Sequence, residues 1–230
     1  MKNKVIKEAF KDSLPIMAGY IVLGTGFGIL LESKGYGLLY AVLMSVFIYA
    51  GSMQYVGINL ITGGASIIAM AIMTIVVNIR HLFYGISMLS RYKEIKKHKT
   101  YTIFGLTDEV FSVVVDKKIP EDLNKDDYYF FVSLFSQSYW VIGSCFGSVV
   151  GTMLPFSTAG VEFSMTALFI CVFVNQWENY HNHLPALVGL IVSIICLIIF
   201  GSSNFLIPSI ILINVILIVL KDKAGVGDAR

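Results

Sequence analysis

The chain has 230 residues, 56% of them hydrophobic, and a mean hydropathy of +0.76. Charged residues make up 14%, against about 25% in an ordinary soluble domain, and the net charge is only +2. So little polar surface excludes a soluble globular enzyme, a disordered chain and a nucleic-acid binder. Residues 128–220 contain no Lys or Arg and only two acids, Glu162 and Glu178, and residues 35–90 contain the single charge Arg80. Such stretches are cheap in lipid, so the fold class is all-α, a polytopic helical membrane protein.

In chain order, Lys2, Lys4, Lys7 and Lys11 precede the first apolar run. That run ends in Leu31-Glu32-Ser33-Lys34 with no small-x-small cleavage site, so the expectation is an uncleaved first helix. Hydrophobic blocks follow at 14–31, 38–61, 65–90, 101–116, 129–153, 162–180, 184–200 and 204–220. Each is near the ~20 residues a spanning helix needs, giving about seven to eight segments in a single membrane domain over 1–230. Cys145, Cys171 and Cys196 lie inside these blocks as small hydrophobes, with no disulfide framework or metal-ligand spacing.

Basic residues cluster at the N-terminus, in Arg91-Tyr92-Lys93-Glu94-Ile95-Lys96-Lys97-His98-Lys99, and at Lys221 and Lys223. The positive-inside rule puts these in the cytoplasm, and the acid-rich segment 116–127 is expected outside. If blocks one to three all crossed, 91–99 would fall outside. The expected resolution is a re-entrant block two, interrupted at Ala50-Gly51-Ser52 and Gly57. An internal repeat fits this. Gly26-Phe27-Gly28-Ile29-Leu30-Leu31 aligns with Cys145-Phe146-Gly147-Ser148-Val149-Val150, and Phe47 to Tyr55 aligns with Phe169 to Trp177. The expected halves, 13–116 and 128–220, are inverted and carry broken helices, the pattern that marks transporter binding sites.

The polar residues inside apolar blocks carry the functional signal. Arg80 is costly at depth unless paired, and its planar fork suits a carboxylate; the bland alternative is snorkelling toward Arg91. Asn78 and His81 flank it, and His81 is either a proton relay or a hydrogen-bonded neighbour. Asp108 and Glu109 are adjacent acids in another apolar block, pointing about 100° apart, suited to carrying protons or to neutralising Arg80. Gln54, Tyr55, Gln176 and Trp177 lie near the proposed breaks, either as substrate contacts or as interhelical hydrogen bonds. His181-x-His183 lacks further ligands, so no metal is expected, and no cofactor, nucleophile or ATPase motif is present.

Ala50-Gly51-Ser52-Met53-Gln54-Tyr55, Asn78-Ile79-Arg80-His81-Leu82-Phe83-Tyr84-Gly85 and Leu106-Thr107-Asp108-Glu109-Val110-Phe111 resemble the hallmark motifs of the AzlC family, over about residues 13–220. The resemblance implies the large subunit of a branched-chain amino acid exporter with a small AzlD-type membrane partner. The expected function is a secondary amino acid exporter, not an enzyme, in the cytoplasmic (inner) membrane with a cytoplasmic N-terminus. Arg80, Asn78, Gln54, Tyr55, Gln176 and Trp177 would bind substrate, and Asp108, Glu109 and His81 would couple it to protons. The runner-up is a channel-like facilitator for a small solute, and a membrane-embedded enzyme comes third.

Overall fold

The computed structural model describes residues 2–153 and 182–220, with scattered positions between them. All regular structure among these residues is helical. The chain forms two units, Met1–Thr166 and Ala167–Arg230. The first contains α1 (Lys2–Ser33), α2 (Leu38–Phe47), α3 (Gly51–Thr62), α4 (Ile67–Asn78), α5 (Arg80–Lys93), α6 (Lys99–Phe104), α7 (Asp108–Val114) and α8 (Lys125–Met153). The second contains α9 (Leu184–Asn204), whose helical geometry breaks at Gly201, and α10 (Leu206–Val219). Helices Lys2–Ser33 and Leu184–Gly201 are long and apolar enough to cross a membrane, and α4 with α5 makes a third such element bent by 47°.

The scaffold of the first unit is α1 packed along α8. Tyr128 Oη donates to Asp12 near their starts (2.7 Å), and Ser148 Oγ donates to Glu32 near their ends (2.8 Å), so the two helices run parallel. Between these points the backbones touch. A Cβ on Gly28 would lie 2.1 Å from the Ser144 carbonyl oxygen, and one on Gly147 would lie 2.0 Å from that of Thr25. Without a hydrophobic force between helices in lipid, such close approach over small residues is what holds them together. This corrects the expectation of inverted halves. An inverted repeat that aligns Gly26–Leu31 with Cys145–Val150 requires their helices to run in opposite directions, and here they run parallel. The shared signal is the small-residue surface through which they meet.

Helix α2 runs back down α8. Its start, Gly37, lies by Glu32, and farther along Gln137 Nε2 donates to the Val46 carbonyl at 2.9 Å. At Ile48-Tyr49-Ala50 the helix stops, with Tyr49 held at φ 43°. Helix α3 then turns back, bringing Gly57 beside the Met44 side chain. The interruption read from Ala50-Gly51-Ser52 is therefore a reversal. Gly64, at φ 67°, helps turn the chain into α4, and the Ser66 hydroxyl caps α4 by accepting from the Ala69 N–H.

Block 101–116 also reverses. Helices α6 and α7 have six and seven residues, about 10 Å each at 1.5 Å per residue and far short of a ~30 Å hydrocarbon core. Both ends of this pair lie at one polar face. There Lys117 pairs with Glu8 and Asp12 at 2.8 and 2.7 Å, Lys4 pairs with Asp122, and Lys125 pairs with Glu94 at 3.4 Å. Asp126 accepts from the backbone N–H groups of Lys96 and Lys97. The start of α1, segment 91–99 and segment 116–127 thus share a face. The placement of 116–127 opposite 91–99 is overturned because the block between them doubles back.

Candidate functional site

Three interruptions of the chain meet beside α1: Tyr49 between α2 and α3, Ile79 between α4 and α5, and Gly105-Leu106-Thr107 between α6 and α7. Tyr20, whose ring lies 6.5 Å from that of Tyr49, marks the level. It is two turns beyond Asp12, or about 12 Å from the charged face. Broken helices at depth leave backbone groups and polar side chains free to serve a site, which is tolerated only where protein or a cavity covers them.

Arg80 opens α5 at the bend. Its Nη2 donates to Ser52 Oγ at 2.8 Å and lies 3.1 Å from Asp108 Oδ2, with both charged side chains about a quarter exposed (28% and 25%). The sequence requirement that this arginine be paired is thus met. Asp108 is the first residue of α7, where negative charge also favours the helix dipole. Thr107 caps the same helix by accepting from the Val110 N–H. Glu109 points elsewhere, as the 100° offset requires. Its Oε2 accepts from Tyr20 Oη at 2.6 Å, and the same hydroxyl lies 2.7 Å from Thr107 Oγ1. Tyr84, one turn after Arg80, stacks on Phe111 of α7 with centroids 4.5 Å apart, so α5 and α7 descend side by side.

Beside this cluster lies a cavity of about 310 Å³, with Tyr49, Asn78, His81, Phe104 and Thr107 in its wall among aliphatic side chains. His81 Nδ1 sits 3.1 Å from the Asn78 carbonyl oxygen. Among the described residues, four buried polar atoms of the cluster have no hydrogen-bond partner: Tyr49 Oη, Asn78 Oδ1, Arg80 Nε and Asp108 Oδ1. A buried polar atom is costly unless hydrogen-bonded, so polar groups of a ligand or water would satisfy these atoms.

The structure brings together Arg80, Asn78, His81, Asp108 and Glu109. It does not bring Gln54 and Tyr55 to them. Gln54 Oε1 accepts from Trp140 Nε1 at 2.9 Å, and Tyr55 Oη donates to the Leu23 carbonyl at 2.7 Å, so both tie α3 to the scaffold. This is the interhelical alternative weighed for the amide. Trp177 belongs to the second unit, where it stacks on His183 with centroids 4.0 Å apart. Gln176 lies outside the described residues. Sequence reasoning missed Tyr20, Tyr49 and Ser52. Ser52 and Tyr49 flank a break that was visible, but a single tyrosine in α1 carries no such signal.

The comparisons bear on these same segments. The AzlC protein family model matches residues 15–154, which span α1 to α8 and all three interruptions. The chain is 41% identical to the "Branched-chain amino acid transport protein AzlC" of Bacillus subtilis, over 96% of this chain and 88% of that protein. It is 42% identical to an "Uncharacterized membrane protein" of Haemophilus influenzae, over 94% of this chain and 88% of that one. It is 31% identical to "Inner membrane protein YgaZ" of Escherichia coli, over 91% and 86%. No solved structure matches. With its motifs at the three interruptions and a family match over most of its length, the chain is a membrane protein of the AzlC family.

Proposed function

We propose that this chain is a secondary transporter that exports branched-chain or similarly small apolar amino acids across the cytoplasmic membrane, driven by proton entry. The observation that carries the reading is the Arg80–Asp108 pair standing beside an apolar cavity where three broken helices meet. Arg80 Nε is a buried donor without a partner, suited to one oxygen of a substrate carboxylate while Nη2 stays on Asp108 and Ser52. Asn78 Oδ1 is a free acceptor suited to the substrate ammonium. The aliphatic and aromatic wall of the cavity suits a branched tail, and its volume is at the small end of ligand pockets. The Bacillus relative's name supports this substrate class, and export follows the family resemblance of the motifs.

The topology we propose has a cytoplasmic N-terminus. Segments 2–11, 91–99 and 116–127 hold four, five and three Lys and Arg, together twelve of the chain's 17. Their shared face is therefore the cytoplasmic one. Helix α1 crosses outward, α2–α3 enters and returns from outside, and bent α4–α5 crosses inward. Helix pair α6–α7 then enters and returns from the cytoplasm, and α8 crosses outward. No residue of α4 is buried, and a small AzlD-type subunit is the proposed cover for such apolar surface.

Proteoliposomes test the function. Saturable counterflow of labelled leucine, with efflux that follows an imposed pH gradient, is expected when the partner is present. Linear, non-saturating flux would replace the carrier with a channel, and flux indifferent to pH would remove proton coupling.

A further inference from the structure

The two neighbouring acids of α7 have different partners. Asp108 faces Arg80 and forms an ion pair with it at 3.1 Å. Glu109 makes no ion pair among the described residues. Its carboxylate touches the Tyr20 hydroxyl at 2.6 Å, which touches Thr107 Oγ1 at 2.7 Å. Thr107 in turn lines the cavity. A continuous line of hydroxyls therefore leads from the cavity to Glu109. The titratable groups facing Glu109 are Tyr20 on α1, Tyr49 at the α2–α3 reversal, Tyr84 on α5 and Asp108 on its own helix. None of these is a cation, and the nearby Arg80 is already matched by Asp108.

We propose that Glu109 takes up and releases the transported proton through the Thr107 and Tyr20 hydroxyls, while Asp108 stays paired with Arg80 and positions it. This deepens the proton-coupled carrier reading and rests on it. In the uptake step a proton arrives at Thr107 Oγ1, the hydroxyl proton of Thr107 passes to Tyr20 Oη, and that of Tyr20 passes to Glu109 Oε2. Each hydroxyl ends with as many protons as it began with, and only the carboxylate changes charge. Release runs the same line backwards. Neutral Glu109 removes one negative charge from beside the Arg80–Asp108 pair, which couples protonation to the hold on substrate.

The test combines flux with a spectroscopic readout. In proteoliposomes, Glu109→Gln is expected to lose pH-driven efflux while labelled-leucine counterflow continues at a reduced rate. Asp108→Asn should lose both, because Arg80 is no longer positioned. Tyr20→Phe should slow proton-driven flux more than counterflow. In infrared titrations of the purified protein, a protonated-carboxyl band should appear in the wild type on acidification, vanish in Glu109→Gln, persist in Asp108→Asn and shift in Tyr20→Phe. Proton-driven efflux retained in Glu109→Gln would overturn the proposal, as would a band lost in Asp108→Asn. If Glu109→Gln does not fold, the band in Asp108→Asn and Tyr20→Phe still decides. Wild-type flux indifferent to pH would sink the coupled-carrier reading instead, while the infrared band would still say which acid binds a proton.

Discussion

Along α1 and α8 the two backbones touch, whereas between α2 and α7 the helices are repeatedly interrupted. The first region spends its glycines on contact: Gly24, Gly28, Gly143 and Gly147 each sit where a Cβ would press on the opposite helix. The second spends its polar residues on a site, and its breaks at Tyr49, Ile79 and Thr107 converge there. The tight pair has little freedom to move, because close-packed backbone yields poorly to strain. The interrupted helices are short, so small bends at their junctions can shift Arg80 and Asp108 relative to the cavity. On the proposed transport reading, a rigid pair beside jointed helices separates the job of holding the fold from that of moving substrate.

Substitutions separate these jobs in order of expected effect. Gly147→Leu drives a side chain into the Thr25 carbonyl, where the Cβ alone would be 2.0 Å away. It should cost more than about 3 kcal/mol and eliminate the monodisperse peak in detergent chromatography. Gly19→Ala on the same α1 meets nothing within 4 Å and should be neutral or gain up to about 1 kcal/mol, since alanine favours a helix. Equal tolerance at both positions would break the distinction.

Arg80→Ala acts on the other region. It leaves Asp108 half-buried without its cation, so transport should vanish, with a stability loss of about 3 kcal/mol. Arg80→Lys should lose at least about tenfold in counterflow, because a single ammonium cannot serve Ser52, Asp108 and substrate together. The double variant Arg80→Asp with Asp108→Arg should recover protein level but not counterflow. Normal transport in Arg80→Ala, normalised to folded protein, would remove Arg80 from the site.

Single cysteines at Lys96 and Asn124 test how the interrupted region sits in the bilayer. Both positions should resist a membrane-impermeant thiol reagent in intact cells and react in inverted vesicles. Labelling of position 124 alone from outside would mean that α6–α7 crosses.

The smallest effect concerns the polar face. Burial opposes the charge of Lys117, but hydrogen bonds and attraction from Asp12 and Glu8 outweigh it and raise its pKa above 10.5. A lysine whose pKa is raised on folding stabilises most below its unfolded value, and that stability is lost as pH rises through the folded value. Thermal stability should therefore drop slightly above about pH 10.5, the ordinary lysine value, in the wild type. Lys117→Gln should be less stable at neutral pH and lack that part of the decline, as read by Tm against pH.

Several of these features were legible beforehand. The cost of an isolated arginine at depth demanded a partner for Arg80, and Asp108 is that partner at 3.1 Å. The Gly and Ser residues at 50–52 announced a break, and α2 ends just before them. For Gln54 and Tyr55, a position near a break says nothing about which face of α3 they occupy. Their hydrogen bonds go to Trp140 and Leu23. Tyr20 was invisible because its importance comes from what α7 brings to it.

What the sequence determined by itself is the solvent and the expensive groups. Its apolar runs require lipid, and Arg80, Asp108 and Glu109 are the charges that must find partners inside them, because burial cost belongs to each residue regardless of its neighbours. Only the tertiary structure decided which runs reverse on themselves, that α1 and α8 lie parallel, and that Glu109 meets Tyr20 rather than Arg80. An apolar segment is equally content against lipid, a neighbouring helix or its own reversal. The choice among them is made by contacts between residues far apart in the chain, such as Thr25 with Gly147 and Lys117 with Asp12.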